Sequence, residues 1–81
     1  MHIELEKFKT GWYEIFIGIQ EDEIDTLIEN LRLLKTNKDQ HFHISSDYEG
    51  EGGIGEIEFY VQEEDEESNM KITGLSISPN R

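Results

Sequence analysis

The apolar residues of this chain change period twice, and that change limits the folds open to it. From residue 2 to residue 19 they alternate, from 21 to 36 they recur every third or fourth position, and from 41 onward they alternate again. A period of two belongs to a strand with one buried face, and a period near 3.6 to a helix with one apolar stripe. His2 to Phe8 sets Ile3 and Leu5 against His2, Glu4 and Glu6. Trp12 to Ile19 sets Tyr13, Ile15, Ile17 and Ile19 against Trp12, Glu14, Phe16 and Gly18. With Thr10-Gly11 as the turn, these two segments read as an antiparallel hairpin.

From Glu21 to about Thr36, Ile24, Leu27, Ile28, Leu31 and Leu34 build one stripe on a helix. Glu21, Asp22, Glu23 and Asp25 place negative charge at the positive end of the helix dipole. Arg32, Lys35 and Lys38 place positive charge near its other end. Asn37 is expected to stop the helix in the left-handed conformation.

Three further strands are expected at His41 to Tyr48, Glu56 to Gln62 and Met70 to Ser78, separated by Gly-rich or polar stretches. In the second of these, Ile57, Phe59 and Val61 alternate with Glu56, Glu58 and Tyr60; in the third, Gly74 marks a bulge or bend. The order ββαβββ predicts an α+β fold: a mostly antiparallel sheet of about five strands with one helix packed on one face. At 81 residues the chain is expected to form one domain spanning 1–81, burying about 63% of the surface of the unfolded chain. No repeat or linker divides it.

Charge narrows the function. The chain carries 19 acids and 7 Lys or Arg, a formal charge of −12, and residues 39 to 70 hold eleven acids and no Lys or Arg. Such a surface lacks the cations needed to displace counterions from phosphates, so neither nucleic acid nor an anionic membrane is an expected partner. A basic protein is the natural complement. No apolar run nears the roughly 20 residues that span a bilayer, and the first residues lack the basic-then-apolar order of a signal peptide, so a cytoplasmic location is expected. Without Cys there is no disulfide, thiolate nucleophile or thiolate metal site.

Two acidic clusters are candidate partner-binding residues: Asp47, Glu49 and Glu51 beside the Gly-rich connection, and the run Glu63, Glu64, Asp65, Glu66 and Glu67, expected to join two strands. They read either as solvated loops that aid solubility or as an anion patch that steers a cationic partner. Trp12, Phe16 and Tyr60 lie on strand faces turned from the helix, where a fold of one helix and one sheet has no second layer. They read either as interface anchors, or as residues drawn partly into the core by a shift of strand phase or covered by a loop.

His41 and His43 share one side of a strand and can chelate a metal only if a third ligand joins them, and the sequence does not supply it. Ser45, Ser46 and Asp47 follow the histidines, yet neighbours on a strand alternate faces and make no triad, so no catalytic residue and no enzyme activity are expected. Gly50-Glu51-Gly52-Gly53-Ile54-Gly55 lacks the Lys and Ser or Thr of a phosphate loop, and its glycines read as conformational. No cofactor is expected.

The run HFHISSDYEGEGGIGEIEFYVQ, followed by an acidic loop and MKITGLSISP, resembles the small immunity proteins of bacterial polymorphic toxin systems, in particular the Imm32-like group. The similarity covers residues 41 to 79, and the N-terminal hairpin and helix are compatible with it in layout. The resemblance implies a cytoplasmic antidote that binds a cognate toxin domain and blocks it by stoichiometric occlusion, with no catalytic residue of its own. Charge complementarity, apart from the resemblance, points to a basic toxin such as a nuclease. Two other readings stand beside it: a structural or regulatory homodimer joined through the aromatic sheet face, and a small metal-binding module using His41 and His43.

Overall fold

The computed structural model describes residues 1–74, in the order β1 (His2–Lys7), β2 (Tyr13–Gly18), α1 (Glu21–Thr36), β3 (His41–Ser45) and β4 (Glu56–Tyr60). The α+β class holds, with one helix and two antiparallel hairpins. Strand β1 pairs with β2 from His2 opposite Gly18 to Lys7 opposite Tyr13. Strand β3 pairs with β4 from His41 opposite Tyr60 to Ser45 opposite Glu56.

The expected five-strand sheet does not form: each hairpin is its own two-stranded sheet, and no ladder joins them among the described residues. Each strand finds its partner in its nearest neighbour along the chain, where loop closure costs least entropy. Alternation in sequence reports which face a strand buries and is silent on whether its second edge is paired. The expected fifth strand at Met70 to Ser78 is not seen over 70–74, and its remainder lies outside the described residues. The acidic run 63–67 therefore joins no two strands among the described residues.

The first hairpin turns through Lys9-Thr10-Gly11. The Phe8 N–H donates to the Trp12 carbonyl at 2.8 Å, the Gly11 N–H donates to the Phe8 carbonyl at 3.3 Å, and Gly11 has φ +89°. This is a three-residue loop closed by a left-handed residue, the position at which only glycine avoids strain. Trp12 pairs with Phe8 at the base of this loop, directly before β2, which begins one residue later than expected.

Helix α1 begins and ends where its charges and stripe predict. The Gln20 N–H donates to Glu23 Oε1 at 3.0 Å, and the Gln20 carbonyl accepts from the N–H groups of Glu23 and Ile24. Glu23 also meets the Met1 ammonium at 2.7 Å. That ammonium, and then the Gln20 N–H, hold the Glu23 carboxyl below its usual range. At the other end, Asn37 is extended (φ −142°) and not left-handed. Its N–H donates to the Leu33 carbonyl, which also accepts from Thr36 Oγ1. Helix-terminal carbonyls can be satisfied without a left-handed residue when a side-chain hydroxyl reaches back to them.

The core is small. Leu34, 7% exposed, is the one buried side chain among the described residues. Phe42 and Phe59 face each other across β3 and β4, stacked with centroids 4.8 Å apart, and Ile44 faces Ile57 beside them. A cleft of about 700 Å³ opens between α1 and the hairpins, lined among others by Ile3, Leu27, Asn30, Phe42, Ile44 and Ile57. The inward side of α1 is thus the line of Leu27, Asn30 and Leu34, whereas Ile24, Ile28 and Leu31 of the same stripe remain exposed.

Candidate partner-binding surface

The register of the second hairpin gathers most of the singled-out residues on one ribbon. On β3 and β4 the apolar side chains Phe42, Ile44, Ile57 and Phe59 are half-buried, and the alternate residues His41, His43, Ser45, Glu56, Glu58 and Tyr60 are exposed. The two acidic clusters lie at opposite ends of this ribbon. Asp47, Glu49 and Glu51 belong to the loop that joins β3 to β4, and residues 63–67 follow β4 at the other end. With Glu56 and Glu58 between them, acids run the length of the hairpin, roughly 17 Å for strands of this size.

Both acidic loops are tied down by local hydrogen bonds. In the first, the Ser46 N–H donates to the Gly55 carbonyl at 2.8 Å and closes the base. Ser46 Oγ accepts from the Tyr48 N–H and Asp47 Oδ1 from the Glu49 N–H, each at 3.0 Å. Tyr48 has φ +58°, and its ring lies so close over Gly55 that a Cβ there would fall 2.6 Å from Tyr48 Cε1. Desolvation, and then the charge of Glu56, push the Tyr48 phenol up.

In the second loop the Glu66 N–H donates to the Glu63 carbonyl at 3.1 Å. The Gln62 amide donates to the Glu66 carbonyl at 2.7 Å and to Ser68 Oγ at 3.1 Å, and the Tyr60 hydroxyl donates to the Glu66 carboxylate. Tyr60 and the acidic run, chosen for different reasons in the sequence, are therefore in contact. All five acids from Glu63 to Glu67 are exposed, as are Asp47, Glu49 and Glu51. Among the described residues no Lys or Arg forms an ion pair with any acid; the pairs formed involve the Met1 ammonium and histidines.

The aromatic candidates do not form one patch. Trp12 is 76% exposed at the base of the β1–β2 loop and Phe16, 46% exposed, lies opposite Glu4, while Tyr60, 54% exposed, belongs to the other hairpin. Exposure sets only Trp12 apart: Leu5, Tyr13, Ile15 and Ile17, on the opposite face of β1 and β2, are about as open as Phe16 and Tyr60. Of the residues of β1 and β2 only Ile3 is half-buried, in the cleft beside Leu27, and the others on both faces are exposed.

On the exposed side of the second hairpin, His41 and His43 meet edge to face with ring centroids 4.9 Å apart. Glu58, which the sequence reading did not single out, stands directly opposite His43, its carboxylate 3.6 Å from His43 Nε2. The signal that finds it is the hairpin register: once Ser45 is paired with Glu56, Glu58 necessarily faces His43. Glu56 lies on the other side of the same ring, 3.9 Å from Nδ1, and accepts a hydrogen bond from Ser45 Oγ at 3.2 Å.

No known protein family, curated protein or solved structure matches this chain. Among the described residues no helix is long and apolar enough to cross a membrane.

Proposed function

We propose that this chain is a binding protein that masks a basic protein partner. Its closest functional model is an immunity protein that neutralises a cognate toxin by stoichiometric occlusion. The observation that carries this reading is the line of acids along the β3–β4 hairpin, exposed at both ends and without a Lys or Arg counterpart among the described residues. Like charges held together on a small domain oppose its folding, and a cationic partner reverses that effect on docking. The hydrogen-bonded loops support it further, since a held loop loses less entropy on binding than a free one.

Charge sets the encounter, and desolvated apolar area holds the complex. Trp12, Phe16 and Tyr60 are the proposed anchors, with Asp47, Glu49, Glu51 and residues 63–67 as the steering groups. Immunity genes stand beside the toxin genes they answer, so the test is co-expression with the product of the adjacent reading frame. Restored growth and a one-to-one complex that salt weakens support the reading. A toxic neighbour that this chain neither binds nor neutralises contradicts it.

A second reading, a homodimer, is favoured by one observation: the face of Leu5, Ile15 and Ile17 on the first hairpin is open, and residues 1 to 38 carry little net charge to repel a copy. Sedimentation separates the two. A dimer that persists on dilution and that Ile15→Glu dissociates supports the second reading, and a monomer at all concentrations removes it.

A further inference from the structure

We propose that His41, His43 and Glu58 form a binding site for one divalent first-row transition-metal ion of the zinc or copper class. The site does not rest on the docking reading, although Glu58 belongs to the same line of acids. Each of the three residues offers one ligand atom, and those atoms lie within 4.8 Å of one another on the exposed side of the β3–β4 hairpin. Two neutral imidazoles and one carboxylate are a donor set suited to borderline ions and poorly suited to calcium or magnesium, which take oxygen ligands.

The geometry needs a small adjustment. Bonds of about 2.0–2.2 Å to a tetrahedral ion set neighbouring ligand atoms about 3.3 Å apart. His43 Nε2 and the Glu58 carboxylate, at 3.6 Å, already stand near that spacing. The His41 ring closes the remainder by side-chain rotation, which its exposure permits. Strand pairing does the rest of the positioning, because His41 and His43 share one side of β3 and the register brings Glu58 across from β4.

What surrounds His43 supports the assignment. With Nε2 turned to the ion, Nδ1 faces the Glu56 carboxylate at 3.9 Å, and that carboxylate is itself held by Ser45 Oγ. At 3.9 Å this is a charge contact and not a hydrogen bond; a shift of about 1 Å would let Nδ1–H donate to Glu56, the usual outer partner that fixes a ligating imidazole. The fourth position is open to water. A bound ion would join β3 to β4 and offset part of the negative charge along the ribbon, so binding stabilises the fold.

The test is titration of the whole chain with Zn²⁺ at neutral pH, following heat of binding, melting temperature and the histidine side-chain NMR signals, with Ca²⁺ as the comparison ion. One Zn²⁺ per chain is expected, with a raised melting temperature and shifts of the His41 and His43 signals that Ca²⁺ does not produce. His41→Ala and His43→Ala each weaken binding by about tenfold or more, Glu58→Gln weakens it severalfold, and Glu29→Gln on α1 leaves it unchanged. All these side chains are exposed, and circular dichroism checks that each variant keeps its fold. Failure to saturate by about 1 mM Zn²⁺, an affinity indifferent to both histidine variants, or equal binding of Ca²⁺ would overturn the proposal.

Discussion

The Tyr60 hydroxyl donates a hydrogen bond to the Glu66 carboxylate, tying the last residue of β4 to the acidic run that follows it. Glu66 acts first as acceptor and second as a nearby negative charge, and both effects push the Tyr60 phenol above its ordinary value. The neutral phenol is thus favoured in the folded chain. Its stabilising contribution is complete below the pKa of an unfolded tyrosine, about 10, and is lost as pH rises through the higher folded value. Glu66→Gln removes the charge, so the tyrosine that disappears from the ultraviolet titration in Tyr60→Phe should ionise at lower pH in Glu66→Gln. A Tyr60 titration that does not move would show that the contact is absent in solution.

The β1–β2 turn gives a prediction about backbone alone. A Cβ at Gly11 meets no heavy atom within 4 Å, so Gly11→Ala introduces no clash, only a side chain at φ +89°. The expected loss is about 1 kcal/mol of stability. Urea denaturation measures it, and Gly11→Asn should recover part of the loss because Asn tolerates the left-handed region. Equal stability of wild type and Gly11→Ala would mean that the turn relaxes to another form.

Leu34 concentrates what core there is, since no other described side chain is as deeply covered. Leu34→Ala should cost about 2 kcal/mol, the low end for a buried leucine, because Leu34 borders open space beside Leu33, His41 and Phe42 into which neighbours can settle. Leu31→Ala, on the exposed part of the same stripe, should cost under about 0.5 kcal/mol. Equal losses at the two positions would contradict the orientation of α1.

The helix was legible because three signals agree at Glu21 and Thr36: the stripe, the acidic first turn and the basic residues beyond. The four strands were legible from alternation, β3 and β4 ending sooner than expected, and the first turn from Thr10-Gly11. Alternation does not report what lies across a strand edge, so the two hairpins could not be told from parts of one sheet. A helical stripe likewise does not report which of its residues meet a partner layer, and Ile24, Ile28 and Leu31 stay exposed. The acids were visible by count. Their arrangement at the two ends of one hairpin, and Glu58 opposite His43, follow from a register that only strand pairing reveals.

The central claim is that the acids of the second hairpin steer a cationic protein onto this chain. The most direct measurement is the stopped-flow association rate with the basic product of the adjacent reading frame, across salt, for wild type and a variant carrying Glu63→Lys, Glu64→Lys, Asp65→Lys and Glu67→Lys. Glu66 is kept so that its contact with Tyr60 survives. The account predicts association slowed by about tenfold or more at low salt, with a salt dependence much weaker than that of wild type. A rate and salt slope unchanged by four reversed charges would contradict it.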